Sequence, residues 1–337
     1  MSGARAQPGG DSRSAVAPRH GVSRVAGVER RDLLLAGSAN PPLAAAIAAA
    51  LGSTLGACHI ERFPDGEVSI EIGESVRGRD VFLLQPTSAP VNDHLMELLA
   101  LADACRRADA ARITAIVPYF GYARSDKRAG RRAPVMARAV ADLMQCAGID
   151  HVVTLDAHTP QLEGFFRIPI DNLSVVPALS DALRDRIPDD AVIVSPDLGG
   201  VRRAAAYSER LGRPTAICVK RRINGASVAV TQVIGSVQER PCVIVDDMIT
   251  TGGTIAEAAK SLVAQGARPD FLVAASHGVL MPGAREKMRA AGVTQVFVSD
   301  SIAAGEGGGQ RLTRISVAPL LAEVIRRLAA GESLREL

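Results

Sequence analysis

At 337 residues, 47% of them apolar, the chain exceeds what one hydrophobic core comfortably organises, so two soluble domains are the starting expectation. No apolar run reaches the ~18 residues of a membrane span, which leaves no call for a membrane partner. The net charge of +3 belongs to residues 1–31, where six arginines face only Asp11 and Glu29; the near-neutral remainder carries no electrostatic footprint for nucleic acid.

Residues 1–31 are rich in Ser, Gly, Pro, Ala and Arg and lack an apolar stretch, so they read as a disordered extension rather than a secretory leader. Structure begins near Asp32. Apolar, β-branched runs then alternate with helical patterns: DLLLAG with PPLAAAIAAALG, DVFLLQ with NDHLMELLALADACRRA, RITAIVPYF with PVMARAVADLMQCAG, and HVVTLD closing the series. VSIEI (68–72) alternates with period two after FPDG and predicts an antiparallel hairpin, or flap, over 58–72. A second series runs AVIVSPD, PTAICVK, VAVTQVIG, PCVIVDDM, helix TIAEAAKSLVAQG, FLVAASHGVL, GAREKMRAAG and TQVFVSD. Continuous apolar strands joined by amphipathic helices indicate mainly parallel sheets covered on both faces, an α/β fold. VFLLQPTSAPVNDHLMELL and CVIVDDMITTGGTIAEAAK share one strand, loop and helix plan, so the two domains read as related. The expected boundaries are 32–170 and 171–317, with a closing helix at about 318–331 placed to pack back on the first domain.

Cys58, Cys105, Cys146, Cys218 and Cys242 are scattered, mostly within apolar runs, and show no zinc-site spacing. They read as buried thiols of a reducing, cytoplasmic compartment.

The segment VIVDDMITTGGTIAEAA (243–259) concentrates the chemistry. A buried strand delivers Asp246 and Asp247 at its carboxyl end, where open α/β sheets bind ligands. Thr250, Thr251, Gly252, Gly253 and Thr254 then lead into a helix. Glycines let the backbone curl, and hydroxyls with free N–H groups at a helix N-terminus suit a dianionic phosphate. The adjacent acids are placed to grip sugar hydroxyls or a metal-bound sugar. An ordinary strand-to-helix turn with a threonine cap is the plain alternative. No GxxxxGK[ST] occurs, so any nucleotide would have to be held without a P-loop.

This segment resembles the PRPP-binding signature shared by type I phosphoribosyltransferases and PRPP synthetases. FPDGE (63–67), PYFGYARSDKR (118–128), LDAHTPQLEGFF (155–166), VSPDLGGVRRA (194–204), VKRR (219–222) and the closing LLAEVIRRLAAGESL match the synthetases, in order, over roughly 32–337. The resemblance implies two phosphoribosyltransferase-like domains, each a mainly parallel sheet flanked by helices. It implies a ribose-phosphate diphosphokinase that moves the β,γ-pyrophosphoryl group of ATP to the C1 hydroxyl of ribose 5-phosphate. By the same resemblance Phe63, Asp65 and Glu67, from a neighbouring subunit, and Arg124, Ser125 and Asp126 contact ATP. Asp246, Asp247 and residues 250–254 hold ribose 5-phosphate, His158 and Asp197 surround Mg2+, and Lys220 and Arg222 bring charge to the transferring group. A shared site implies a homo-oligomer, a dimer at least and a hexamer by analogy. The remaining histidines (His20, His59, His94, His151, His277) stand in no comparable context.

Two departures bear on activity: Ser125 replaces a usual Gln, and Thr250 stands where many members carry an Asp. They motivate an alternative, a non-catalytic PRPP-synthetase-associated regulatory subunit.

Overall fold

The computed structural model describes residues 32–222, 229–304 and 311–337, with backbone alone at 220–222 and 229–231. The first series opens with β1 (Leu33–Ala36) and α1 (Pro41–Leu51). Asn40 Oδ1 accepts the Leu43 amide, Pro41 needs no partner at the first helical position, and Gly52 ends the helix at φ 66°. β2 (Cys58–Arg62) and β3 (Val68–Ile72) pair antiparallel as the expected hairpin, with Arg62 opposite Val68. Then follow β4 (Asp80–Leu84), α2 (Val91–Arg107), β5 (Arg112–Val117), α3 (Met136–Ala147), β6 (His151–Leu155) and β7 (Ile170–Leu173). Five strands form one parallel sheet in the order β1-β4-β5-β6-β7.

The second series comprises α4 (Val176–Arg184), β8 (Val192–Ser195), α5 (Val201–Leu211), β9 (Thr215–Arg222), β10 (Ala229–Ile234) and β11 (Cys242–Ile249). It continues with α6 (Gly253–Ala264), β12 (Phe271–Gly278), α7 (Ala284–Ala290), β13 (Val293–Ser299), β14 (Arg311–Ile315) and α8 (Ala318–Ala330). Seven strands line up as β10-β9-β8-β11-β12-β13-β14. All neighbours are parallel except β9 and β10. The stretch 223–228 is too short for the crossover a parallel pair needs, so β10 returns antiparallel.

Strand order explains where a crevice opens. In the first sheet the strands are added in one direction. In the second, the chain leaves β8 for β9 and β10 on one side and returns to β11 on the other. The loops after β8 and β11 therefore diverge, and such a reversal point opens a binding crevice at the carboxyl ends of the strands.

One apolar layer runs between the sheets. Leu155 of β6, Leu179 and Leu183 of α4, Tyr207 of α5 and Val245 of β11 belong to a single buried cluster. Leu321, Val324 and Ile325 of α8 join the same cluster with Leu43 and Ile47 of α1. The cysteine reading needs one correction: Cys146, near the end of α3, is exposed and Cys58 is half-buried, whereas Cys105, Cys218 and Cys242 are buried. Among the described residues no helix is long and apolar enough to cross a membrane.

Candidate active site

The buried run Cys242–Val245 of β11 carries Asp246 and Asp247 to the crevice edge. The Asp247 amide donates to Asp246 Oδ1 at 2.9 Å and the Met248 amide to Asp247 Oδ1 at 2.9 Å, which fixes both carboxyls. From α5, Arg203 Nη1 lies 3.8 Å from Asp246 Oδ1 and 3.9 Å from Asp247 Oδ1. From the exit of β6, His158 Nδ1 lies 2.5 Å from Asp247 Oδ2.

These neighbours drive the two acids apart, because adjacent buried carboxyls resist ionising together. Burial, and then the Asp247 charge, push Asp246 up to about 8. Burial would raise Asp247 as well, but the His158 hydrogen bond and the Arg203 charge outweigh it and hold that carboxyl well below the usual range. His158 is raised in return, chiefly by the same hydrogen bond; Asp126 adds to the effect while desolvation and Arg124 oppose it. One carboxylate thus stays charged and engaged while its neighbour keeps a proton near neutral pH.

After β11 the chain turns through residues 250–252 into α6. Gly252 sits at φ 70°, and a Cβ there would lie 2.8 Å from the Ala284 carbonyl oxygen and 2.9 Å from Met288 Cγ. Both the positive φ and the close approach require glycine. Gly252 offers α6 no side-chain cap, so the first N–H groups of the helix remain available to an anion. Thr250 and Thr254 line a cavity of about 570 Å³ together with Arg124, His158, Asp197 and Arg203, and both aspartates face it. Thr251 is exposed and does not line it.

Asp197 lies just past β8. Its Oδ1 accepts the Gly199 amide at 2.8 Å and the Gly200 amide at 3.1 Å, which fixes the turn ahead of α5 and leaves Oδ2 outside these bonds. No group of three or more His, Cys, Asp or Glu among the described residues is arranged to hold a metal ion. His158 and Asp197 still line one cavity with two further carboxyls, those of Asp246 and Asp247. That sparse, oxygen-rich set fits a hydrated divalent cation that takes its other ligands from phosphate and water.

Ser125 turns toward α3. The α3 cap residue, Val135, makes no side-chain cap, and the Met136 amide donates to Ser125 Oγ at 3.2 Å instead. Ser125 lines a second, neighbouring cavity of about 650 Å³ with Tyr119, Tyr122 and Pro134; Arg124 and Met248 border both cavities. Phe63, Asp65 and Glu67 lie on the exposed turn of the β2-β3 hairpin, and none of the three lines either cavity. Lys220 and Arg222 end β9, and their side chains lie outside the described residues.

Two groups went unassigned in the sequence. Arg203 is adjacent to Arg202 and looks like any solvated arginine; the signal was its helical phase, because the next residue, Ala204, and Tyr207 and Leu211 form the buried face. His277 is not the contextless histidine that it looked. It is buried on β12, its Nε2 donates to the Leu155 carbonyl at 3.0 Å, and its Nδ1 lies 2.8 Å from Ser301 Oγ.

Residues 33–148 match the family described as the N-terminal domain of ribose phosphate pyrophosphokinase, and residues 221–337 match the phosphoribosyl synthetase-associated domain. The ribose-phosphate pyrophosphokinase of Vibrio parahaemolyticus is 46% identical over 305 residues, covering 89% of this chain and 97% of its own. That of Maricaulis maris is 46% identical over 307 residues, covering 90% and 99%. The crystal structure of phosphoribosylpyrophosphate synthetase from Mycobacterium smegmatis superposes with a TM-score of 0.84 at 40% identity, covering 89% of this chain and 99% of that one.

Proposed function

The chain belongs to the ribose-phosphate pyrophosphokinase family, and we propose that it transfers the β,γ-pyrophosphoryl group of ATP to the C1 hydroxyl of ribose 5-phosphate, giving PRPP and AMP. The observation that carries this reading is the uncapped N-terminus of α6 opening, beside two fixed aspartates, on the cavity that His158 and Arg124 enter from the other sheet.

In this reading the 5-phosphate rests on the amides and hydroxyls of 250–254, and Asp246 and Asp247 take the ribose hydroxyls. The C1 oxygen bonds to the β-phosphorus as the bond to the α–β bridging oxygen breaks, AMP departs carrying that oxygen, and the hydroxyl proton passes to solvent water. Arg124, with Lys220 and Arg222, offsets charge on the triphosphate. His158 and Asp197, along with water and phosphate oxygens, would hold Mg2+, which would supply further charge neutralisation. Catalysis is positional and electrostatic, with no covalent intermediate.

The exposed hairpin turn supports a site completed between chains, with Phe63, Asp65 and Glu67 reaching the adenine of a neighbouring subunit opposite Arg124, Ser125 and Asp126. The assembly is then a homo-oligomer, at least a dimer. The chain divides into related domains at 32–170 and 171–317 and works in the cytoplasm.

The test is an assay of the purified protein with Mg-ATP, with and without ribose 5-phosphate. Equal amounts of AMP and PRPP are expected, only when the sugar is present, and Lys220→Ala should lower turnover roughly 100-fold or more. No AMP from this chain alone, together with tight association with an active relative, would transfer the reading to a regulatory subunit.

A further inference from the structure

The exit of β6 is bonded to the second sheet at consecutive points. Register pairs Asp246 with Ala275 and Met248 with His277, so Ser276 stands beside Asp247 on the adjacent strand. His277 Nε2 donates to the Leu155 carbonyl at 3.0 Å. Ser276 Oγ donates to Asp156 Oδ2 at 2.6 Å. Two residues further on, His158 meets Asp247 at 2.5 Å. The segment 155–158 of the first sheet therefore grips two neighbouring strands of the second.

Asp156 itself sits at φ 35°, a left-handed conformation that a residue with a Cβ adopts at a cost, and its surroundings hold it there. Its Oδ1 accepts Ser174 Oγ at 2.9 Å, its Oδ2 also accepts the Val175 amide at 3.0 Å, and its own amide donates to the Leu173 carbonyl at 2.8 Å. The buried His277 ring also packs edge-on against Tyr119, with centroids 5.1 Å apart, at the start of the segment that carries Arg124. Because Nε2 donates to a carbonyl, Nδ1 is left to accept from Ser301 Oγ. Neither Ser276 nor His277 lines either cavity at the site.

We propose that Ser276 and His277 are positioning residues for pyrophosphoryl transfer: they fasten the 155–158 segment across the sheets so that His158 is delivered to Asp247. This rests on the activity proposed above. A group displaced by about 1 Å loses up to about 100-fold in rate, so support of this kind shows in turnover rather than in substrate affinity.

The experiment compares Ser276→Ala and His277→Leu with the conservative Ser276→Thr and His277→Gln, each of which keeps a donor. His277→Leu is expected to lower kcat roughly 10- to 100-fold with both KM values within about threefold, Ser276→Ala less, and the conservative pair to recover most of the rate. If the two residues act through His158, adding His277→Leu to His158→Ala costs nothing further. Multiplying losses in that double variant, or equal loss in the conservative variants, overturns the proposal. Amide exchange in the ligand-free chain provides a second arm, which also serves if His277→Leu does not fold. Ser276→Ala should speed exchange at 155–158 roughly tenfold and leave β1 unchanged, and unaltered exchange at 155–158 overturns the clasp. A wild-type chain that forms no AMP sinks the proposed activity instead, and the exchange arm then decides the clasp by itself.

Discussion

On the second sheet, Asp246, Asp247, Thr250 and Gly252 are buried or half-buried, and the two aspartates already engage Arg203, His158 and neighbouring amides. On the separate β2-β3 hairpin, Phe63 is 43% exposed, and the turn's hydrogen bonds run within it, from the Phe63 amide to the Glu67 carbonyl and from the Glu67 amide to Asp65 Oδ1. The contrast separates two ways of building a binding surface. Groups that must meet a phosphate and a sugar at fixed positions are held before the ligand arrives, and burial among opposed charges sets their protonation. Groups that present a face outward need only a stiff two-stranded support. A substitution on the second sheet should therefore reach folding as well as activity, while one on the hairpin should spare folding.

The largest effect expected on that contrast is from Gly252→Ala. A Cβ 2.8 Å from the Ala284 carbonyl, at φ 70°, should cost about 1–3 kcal/mol in a denaturant titration and remove most AMP formation; an unchanged midpoint would place the turn among the tolerant surfaces.

Next comes pH. Asp246 binds its proton more tightly folded than unfolded, so its contribution is present below the ordinary carboxylate range and lost as pH rises through about 8. His158, also raised, contributes below the ordinary imidazole value and loses that contribution as pH rises through its folded one. Asp247 runs the other way, contributing above the ordinary carboxylate range and failing only in strong acid. The ligand-free protein should melt lower at about pH 9 than at about pH 6, and Asp246→Asn should flatten most of that slope. An unaltered slope in the variant would remove Asp246 as its source.

Arg203→Met sharpens the same side more gently. Without the guanidinium Asp246 should be pushed up further, moving the loss of stability of the ligand-free protein to higher pH; a melting profile that does not move leaves Arg203 with packing alone. The smallest effect on folding is expected from Phe63→Ala, within about 0.5 kcal/mol in the same titration, while the KM for ATP rises. A clear loss of stability there would break the comparison.

The sequence showed the interior strands, whose apolar runs are continuous, and the hairpin, whose period of two is plain in VSIEI. It did not show β7 (IDNL) and β14 (RLTRI), edge strands whose polar residues hide the pattern. α4 and α5 also escaped: one is a nine-residue helix, and the other buries only Ala204, Tyr207 and Leu211 along a charged surface. At the site, adjacency in the chain made Asp246, Asp247 and residues 250–254 legible. The pairing of His158 with Asp247, 89 residues apart, and the approach of Arg203 depend on how two sheets meet, which no local pattern encodes.

The return of α8 to α1 has a consequence for biogenesis. During synthesis α1 leaves the ribosome long before α8 exists, so Leu43 and Ile47 must wait for Leu321, Val324 and Ile325 with part of their apolar face uncovered. Maturation of the first half is thereby tied to completion of the second, and a nascent chain stalled before residue 318 is a natural client for chaperones that shield unpaired apolar helices.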